Sequence, residues 1–455
     1  MQTGTMNMTT GSVRRVMLSF ALPVFLSQLF QQLYNTADSL IVGNLLGKQA
    51  LAAVGSSASL LQLLTSLMIG VALGAGVVIS RYFGAGEDET VSQAVHTTVA
   101  FGLVAGVAMT VAGVLLSPVL LRWMDTAPDV MESSVAYFRN YFLGAMAVML
   151  YNVFTGIMNA LGDSRRPLYY LIFSSILNVA LDLLFIAVLG LGVGAAAVAT
   201  AISQATSALM CYLHLRKPGT VYQLRIREIR FHPALMLEVV RMGLPTGVQN
   251  SVIALANVLV QSHINSFGSD AMAACGTYSK LQGFAFLPIV SFALALTTFV
   301  SQNLGAREYE RARRGARFGI LAMVCVAELI GVALVFTSPL LARLFNSDPN
   351  VVRITVTQSR IENLFFFLLA FSHAVAGVFR GAGRATVPML VMLSVWCLLR
   401  IVYISVAMNL AHDIRALFWA YPLTWAISSA IFLAYYLKSD WVHGFERTTT
   451  RPRLH

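Results

Sequence analysis

Apolar residues along this chain come in long blocks rather than in short alternation. Twelve blocks stand at roughly 16–43, 50–80, 93–117, 132–158, 168–190, 192–214, 237–264, 272–303, 313–338, 353–379, 388–410 and 414–437, six in each half. Most hold about 20 to 28 residues, enough to cross about 30 Å of hydrocarbon as a helix. Backbone groups in hydrocarbon must bond within their own segment, so each block predicts a helix. The expected fold is an all-α polytopic membrane protein of twelve transmembrane helices. The first block is too long for the apolar part of a signal peptide and carries Pro23, Asn35 and Asp38, so it is read as a span.

The two halves repeat one another. NLLGKQALAAVG from Asn44 returns as NSFGSDAMAACG from Asn265, and SRYFGA from Ser80 returns as SQNLGA from Ser301. GIMNALGDSRRP from Gly156 returns as GVFRGAGRATVP from Gly377, with Gly156/Gly377, Gly162/Gly383 and Pro167/Pro388 in one register about 221 residues apart. Leu22-Pro23 and Leu244-Pro245 recur one residue out of step. A fixed long offset through several loops predicts a duplicated bundle, a build common among membrane transporters. The expected division is a six-helix lobe over 1–214, a connection over 215–236, and a second six-helix lobe over 237–455 that ends in a short basic tail.

Composition agrees with the blocks. Fifty-seven per cent of residues are hydrophobic and 11% charged, and the mean hydropathy is +0.72, outside the range of soluble domains. The net charge of +11 would suit a nucleic-acid binder, but its distribution does not. Basic residues gather in alternate loops: Arg14 and Arg15, Arg81, Arg165 and Arg166, Arg216 to Arg230, Arg307 to Arg317, Arg384, and Lys438 to Arg453. The loops between hold few, such as Lys48, Arg122, Arg343 and Arg415. This is the positive-inside bias, and it predicts a cell-membrane protein with both termini and the 215–236 connection in the cytoplasm. No nucleic-acid partner is expected. Cys211, Cys275, Cys325 and Cys397 all lie in apolar blocks without metal spacing and read as packing residues.

Polar residues inside the blocks carry the chemistry, because each ionisable side chain there costs roughly 2.5 to 3.5 kcal/mol on insertion scales. Asp38 lies near the outer end of the first block, and Asp182 lies in the fifth with Asn178 one turn before it. The i, i+4 spacing puts Asn178 and Asp182 on one helix face. Thr200, in the sixth block, shares their depth, about 12 Å below the outer surface. Two carboxylates, an amide and a hydroxyl at one level suit a small cation or a shared proton. Asp38 facing a water-filled cavity, or capping a broken helix, would satisfy the same pattern. Pro23 removes a helix hydrogen bond upstream of Asp38 and predicts a bend, either static or a moving hinge.

LPxFLSQLFQQLYNTADSLIVG, the following AAVG, ILNVALD, the small-residue run GVGAAAVATAIS and RGAGRATVP together resemble the multidrug and toxic compound extrusion (MATE) family, most closely its MepA-like bacterial branch. The resemblance covers about residues 14 to 437. It implies two six-helix lobes around a central cavity, alternating access, and export driven by inward Na⁺ or H⁺. Residue by residue, it places the family's N-lobe cation site on Asp38, Asn178, Asp182 and Thr200, its bending proline on Pro23, and an accessory tyrosine on Tyr34. The acids that some members carry in helices 7 and 10 have no counterpart here, where the chain reads NSVIALANV and FFFLLAFSH.

The second half has Lys280, Glu362 and Arg400 at similar counted depth, and cost predicts that they pair into a neutralised cluster, structural or functional. Arg139 and Arg360 are repeat mates read as snorkelling to the interface. His263 and His373 read as polar packing, and Glu328 has no evident partner. Gln28, Gln31, Gln32 and Asn35 in one block, with Gln249, Asn250, Asn257 and Gln261 in another, predict a polar cavity lining. The leading reading is a secondary antiporter that exports amphiphilic, cationic organic compounds, acting as a monomer in the bilayer without a cofactor other than the coupling Na⁺ or H⁺. A flippase for a lipid-linked precursor is the alternative. An enzyme is not expected, since no H-E-x-x-H, G-x-S-x-G or Cys/His cluster is present.

Overall fold

A chain whose apolar blocks must bury their own peptide groups becomes a set of long helices, and in the computed structural model the described residues are mostly helical, with no strand among them. Those residues are 6–47, 66, 69–123, 128–410 and 413–443. Lys48, the AAVG at 52–55, the first part of the second block and the basic tail beyond residue 443 lie outside them.

Among the described residues ten helical segments are long and apolar enough to cross a membrane, the stretch Pro349–Gly381 counting as one. In chain order the elements are α1 (Val13–Leu46), α2 (Ile69–Ala85), α3 (Asp88–Trp123), α4 (Pro128–Leu143), α5 (Ala145–Ala160), α6 (Arg165–Val188), α7 (Gly194–Leu215), α8 (Pro233–Asn265), α9 (Ser269–Gly305), α10 (Tyr309–Phe345), α11 (Pro349–Glu362), α12 (Phe366–Gly381), α13 (Thr386–Leu410) and α14 (Ile414–Lys438). The bent pair α4–α5, broken by 46°, supplies an eleventh crossing, and the shorter apolar α2 falls on the second block. The twelve blocks are thus accounted for, as expected of a two-lobe, twelve-helix fold.

The duplication survives in the helix boundaries. α3 and α10 open at Asp88 and Tyr309, α5 and α12 at Ala145 and Phe366, and α6 and α13 at Arg165 and Thr386, each pair in the register of the sequence repeat. Gly162 and Gly383, which precede the last pair, both take positive φ, at 83° and 76°. Even the break between α4 and α5 recurs, as a 3-10 turn at Asn363–Phe365 between α11 and α12.

Contacts divide the chain into two units. The first comprises Met1–Asn7 and Leu22–Gly247; the second comprises Met8–Ala21 and Val248–His455. This differs from a division at residues 214 and 237. The 215–236 connection belongs to the first unit because its apolar residues plug into that core: Tyr222 and Leu224 are buried there. Its backbone also docks on α3, where Arg225 N donates to His96 Nε2 (3.1 Å) and His232 N to Thr97 Oγ1 (3.2 Å). Outside the core, Arg225 hydrogen-bonds Glu228 (2.8 Å) and holds its carboxyl below the usual range. The first half of α8 joins the first unit through glycine. A Cβ on Gly70 or Gly74 of α2 would run into the backbone of Gly247 or Gly243, so two G-x-x-x-G stripes lie face to face. Tyr82 then donates to Glu238 at 3.2 Å, one step further along the same contact.

In the first unit, α3 packs on α4 and α5, and α7 packs on α4, α5 and α6. In the second, α9 packs on α10, α11 and α12, with α14 against α12 and α13. Met8, fully buried, ties the chain's start into the second unit, since its N–H donates to Gln302 (3.0 Å) and its carbonyl accepts from Asn303 and Arg311.

Candidate functional site

Three elements of the first unit bring the sequence-predicted residues together. α1 presents Tyr34 and Asp38 one turn apart, and α6 stacks Asn178 and Asp182 on one face, both with no exposed surface. α7 contributes Thr200. Asp182 is followed at once by a π-helical turn, Leu183–Val188, a local widening that often marks functional positions. The carboxyl groups of Asp38 and Asp182 lie within hydrogen-bonding reach of each other, and the Tyr34 hydroxyl reaches Thr200.

Asn178 Nδ2 lies 3.5 Å from Thr200 Oγ1. Turned by 180°, the amide instead donates to Asp182 Oδ2 at 3.1 Å and accepts from Thr200 N at 3.3 Å, which satisfies both of its ends. In this arrangement Asn178 positions Asp182. Asp38 Oδ1 and Asp182 Oδ1 nevertheless have no hydrogen-bond partner among the described residues. Both belong to a group of acceptors with too few donors, which is the arrangement a proton or a cation would complete.

The site opens on a cavity of about 270 Å³ lined by Gln31, Tyr34, Asn35, Asp38 and Thr200, together with residues the sequence reading did not single out: Tyr137, Tyr141, Asn152 and Gln204. Gln204 follows Thr200 by one turn and also leaves its Oε1 unpaired. That i, i+4 spacing, in an otherwise small-residue run, was the available signal. The tyrosines carried none, since α4 reads as an ordinary amphipathic helix.

Pro23 lies inside α1, and Ser27 Oγ donates to its carbonyl at 2.9 Å. It stands within two residues of Leu22, where α1 passes from the second unit into the first. Pro245 of α8 stands in the same relation to the passage at Gly247. Of the expected cavity residues, Gln31 and Asn35 line the first cavity, while Asn250 and Asn257 line one in the second unit. Gln28 lines neither, and Gln261 donates along its own helix to Asn265 (2.8 Å).

Among the described residues the expected cluster of Lys280, Glu362 and Arg400 makes no direct ion pair, although Arg400 is near enough to Glu362 to feel its charge. Lys280 is exposed, with its ammonium 5.6 Å from the Phe345 ring. Glu362, 1% exposed, accepts from Gln358 Nε2 (2.8 Å) and Gln282 Nε2 (3.4 Å) and makes no ion pair among the described residues. Arg400 donates to Thr424 Oγ1. The direct hydrogen bonds of the two buried members go to amides and a hydroxyl. Glu328 does have a partner: its Oε2 accepts from Phe367 N (3.0 Å), one of the free N–H groups at the start of α12. Arg139 and Arg360 are both exposed, as snorkelling requires. His373 packs between the rings of Phe286 and Trp396.

A duplicated bundle of membrane-crossing helices is a build common among membrane transporters. The MatE family model matches the chain twice, at residues 23–184 and 245–406, and the chain belongs to that family, the multidrug and toxic compound extrusion transporters. It is similar to the probable multidrug resistance protein YoeA of Bacillus subtilis, 30% identical over 93% of this chain and 94% of that one. The multidrug export protein MepA of Staphylococcus saprophyticus is 20% identical over 94% and 95%. The fold matches an outward-facing multidrug resistance MATE transporter of the MOP superfamily with a TM-score of 0.89, at 23% identity over 98% and 99% of the chains. The protein is therefore a multi-pass membrane transporter of the multidrug-efflux class, and not an enzyme.

Proposed function

We propose that the chain is a secondary antiporter of the cell membrane, both termini cytoplasmic, that exports amphiphilic organic cations against an inward flow of Na⁺ or H⁺. Asp38 and Asp182 hold the coupling ion, Asn178 and Thr200 position it, Tyr34 closes its side, and α1 bends at Pro23 as the ion enters or leaves. The observation that supports this reading is the approach of two carboxyls, Asp182 fully buried and Asp38 half-buried, whose buried Oδ1 atoms lack donors. Two carboxylates in contact repel unless a proton or a cation stands between them. Asn178 separates the two occupants: H⁺ leaves its NH₂ on Asp182, whereas Na⁺ draws its oxygen to the metal. The relatives, named for multidrug resistance or export, favour this over a lipid-precursor flippase.

Antiport requires that ion and substrate weaken each other's binding. Proteoliposomes with separately imposed Na⁺ and pH gradients test the reading. One gradient should drive export of a fluorescent organic cation by the parent protein, and neither should drive it in correctly inserted Asp38→Asn. Undiminished gradient-driven export by Asp38→Asn would contradict the reading.

A further inference from the structure

The second unit holds a cavity of about 360 Å³ that the coupling site does not use. Its polarity is the reverse of the first. Among the described residues that line it, Arg400 is the one Lys, Arg, Asp or Glu, and it is 4% exposed. The guanidinium carbon sits 4.4 Å from the Tyr421 ring centre and 5.8 Å from that of Trp396. Nε and Nη2 both donate to a single oxygen, Thr424 Oγ1, at 3.2 and 2.9 Å. Among the described residues nothing accepts from Nη1. Glu362, the acid whose field Arg400 feels, is not in the lining; Gln282, which is, donates to it and screens it.

A buried guanidinium without an ion-pair partner is costly, and a carboxylate or sulfonate that takes the free edge relieves that cost. The rest of the lining selects the body of such a ligand. Phe286, Trp396 and Trp425 line the cavity with aromatic rings, Trp396 beside the guanidinium, and the volume accommodates a bicyclic ring system but not a large drug. Gln249, whose Nε2 is spent on Met392 Sδ at 2.9 Å, leaves Oε1 free as an acceptor for a ligand hydroxyl or amide.

We propose that this cavity is a binding site for small aromatic organic anions, carboxylates or sulfonates, with Arg400 as the anion receptor. The site lies beyond the cation-export reading and stands apart from it, because neither Asp38 nor Asp182 takes part.

Calorimetry and tryptophan fluorescence on the purified full-length protein test it with three matched probes: 2-naphthoate, neutral 2-naphthamide and 2-naphthylmethylammonium. The parent protein should bind 2-naphthoate saturably at one site, at least tenfold more tightly than either other probe, with quenching of tryptophan emission. Arg400→Gln that remains monodisperse should lose at least tenfold in 2-naphthoate affinity and little for the amide. The comparison of probes on the parent protein needs no variant, so a misfolded Arg400→Gln does not block the test. Absence of saturable 2-naphthoate binding, equal binding of the amide, or unchanged affinity in folded Arg400→Gln would each overturn the proposal.

Discussion

At the scale of residues, the acids inside the apolar helices divide by what holds them. Glu362 has two amide donors and Glu328 a backbone N–H, whereas Asp38 and Asp182 have each other and an excess of lone pairs. The first two acids serve the fold; Glu328 in particular ends the break before α12 by accepting from Phe367 N. Glu328→Leu removes that acceptor and should cost about 1–2 kcal/mol, read as a lower melting temperature in detergent, while Glu328→Gln should recover most of it. A Glu328→Leu protein that melts with the parent would show that the cap is idle. Sequence gave the depth of such residues but not their direction. Counting along a helix put Lys280 level with Glu362 and Arg400, yet depth says nothing of the angle about the helix axis, and Lys280 points elsewhere. Asn178 and Asp182 were legible because a one-turn spacing fixes direction as well as depth.

At the scale of elements, the helices themselves were the most legible feature, since block length and repeat register fix where each begins. The breaks were not. Neither Gly144 nor Asn363–Phe365 is marked by proline, and only their recurrence in the repeat identifies them as built-in bends. The docking of the 215–236 connection on the first unit is not legible in the sequence, because its basic residues mask the apolar anchors Tyr222 and Leu224. The glycine stripe between α2 and α8 makes the sharpest prediction at this scale. Gly74→Val or Gly243→Val forces a side chain into facing backbone, whereas Gly276→Val of α9 enters open space. The first two should abolish monodisperse protein or lower its melting temperature by many degrees, and Gly276→Val should leave both nearly unchanged. Equal tolerance of all three would remove the stripe from the account of α2–α8 packing.

At the scale of the molecule, one scaffold is used twice with different chemistry. Helix starts, the turn glycines Gly162 and Gly383, and even the breaks repeat across the two halves. The charges do not: one cavity is lined by Asp38 and the other by Arg400. α1 and α8 change units next to Pro23 and Pro245, which places a proline where each helix must serve both. Coupling, on this account, begins at the acidic cavity. Linkage makes that testable without transport, because an ion bound at Asp38 and Asp182 must weaken substrate binding as much as substrate weakens the ion's. The measurement is the affinity of the purified protein for tetraphenylphosphonium, titrated across Na⁺ at fixed pH and across pH without Na⁺, in the parent and in Asp38→Asn. The parent should lose affinity severalfold or more along one of the two axes, and Asp38→Asn should be flat along both. An ion dependence that persists in Asp38→Asn would place the coupling ion elsewhere in the protein.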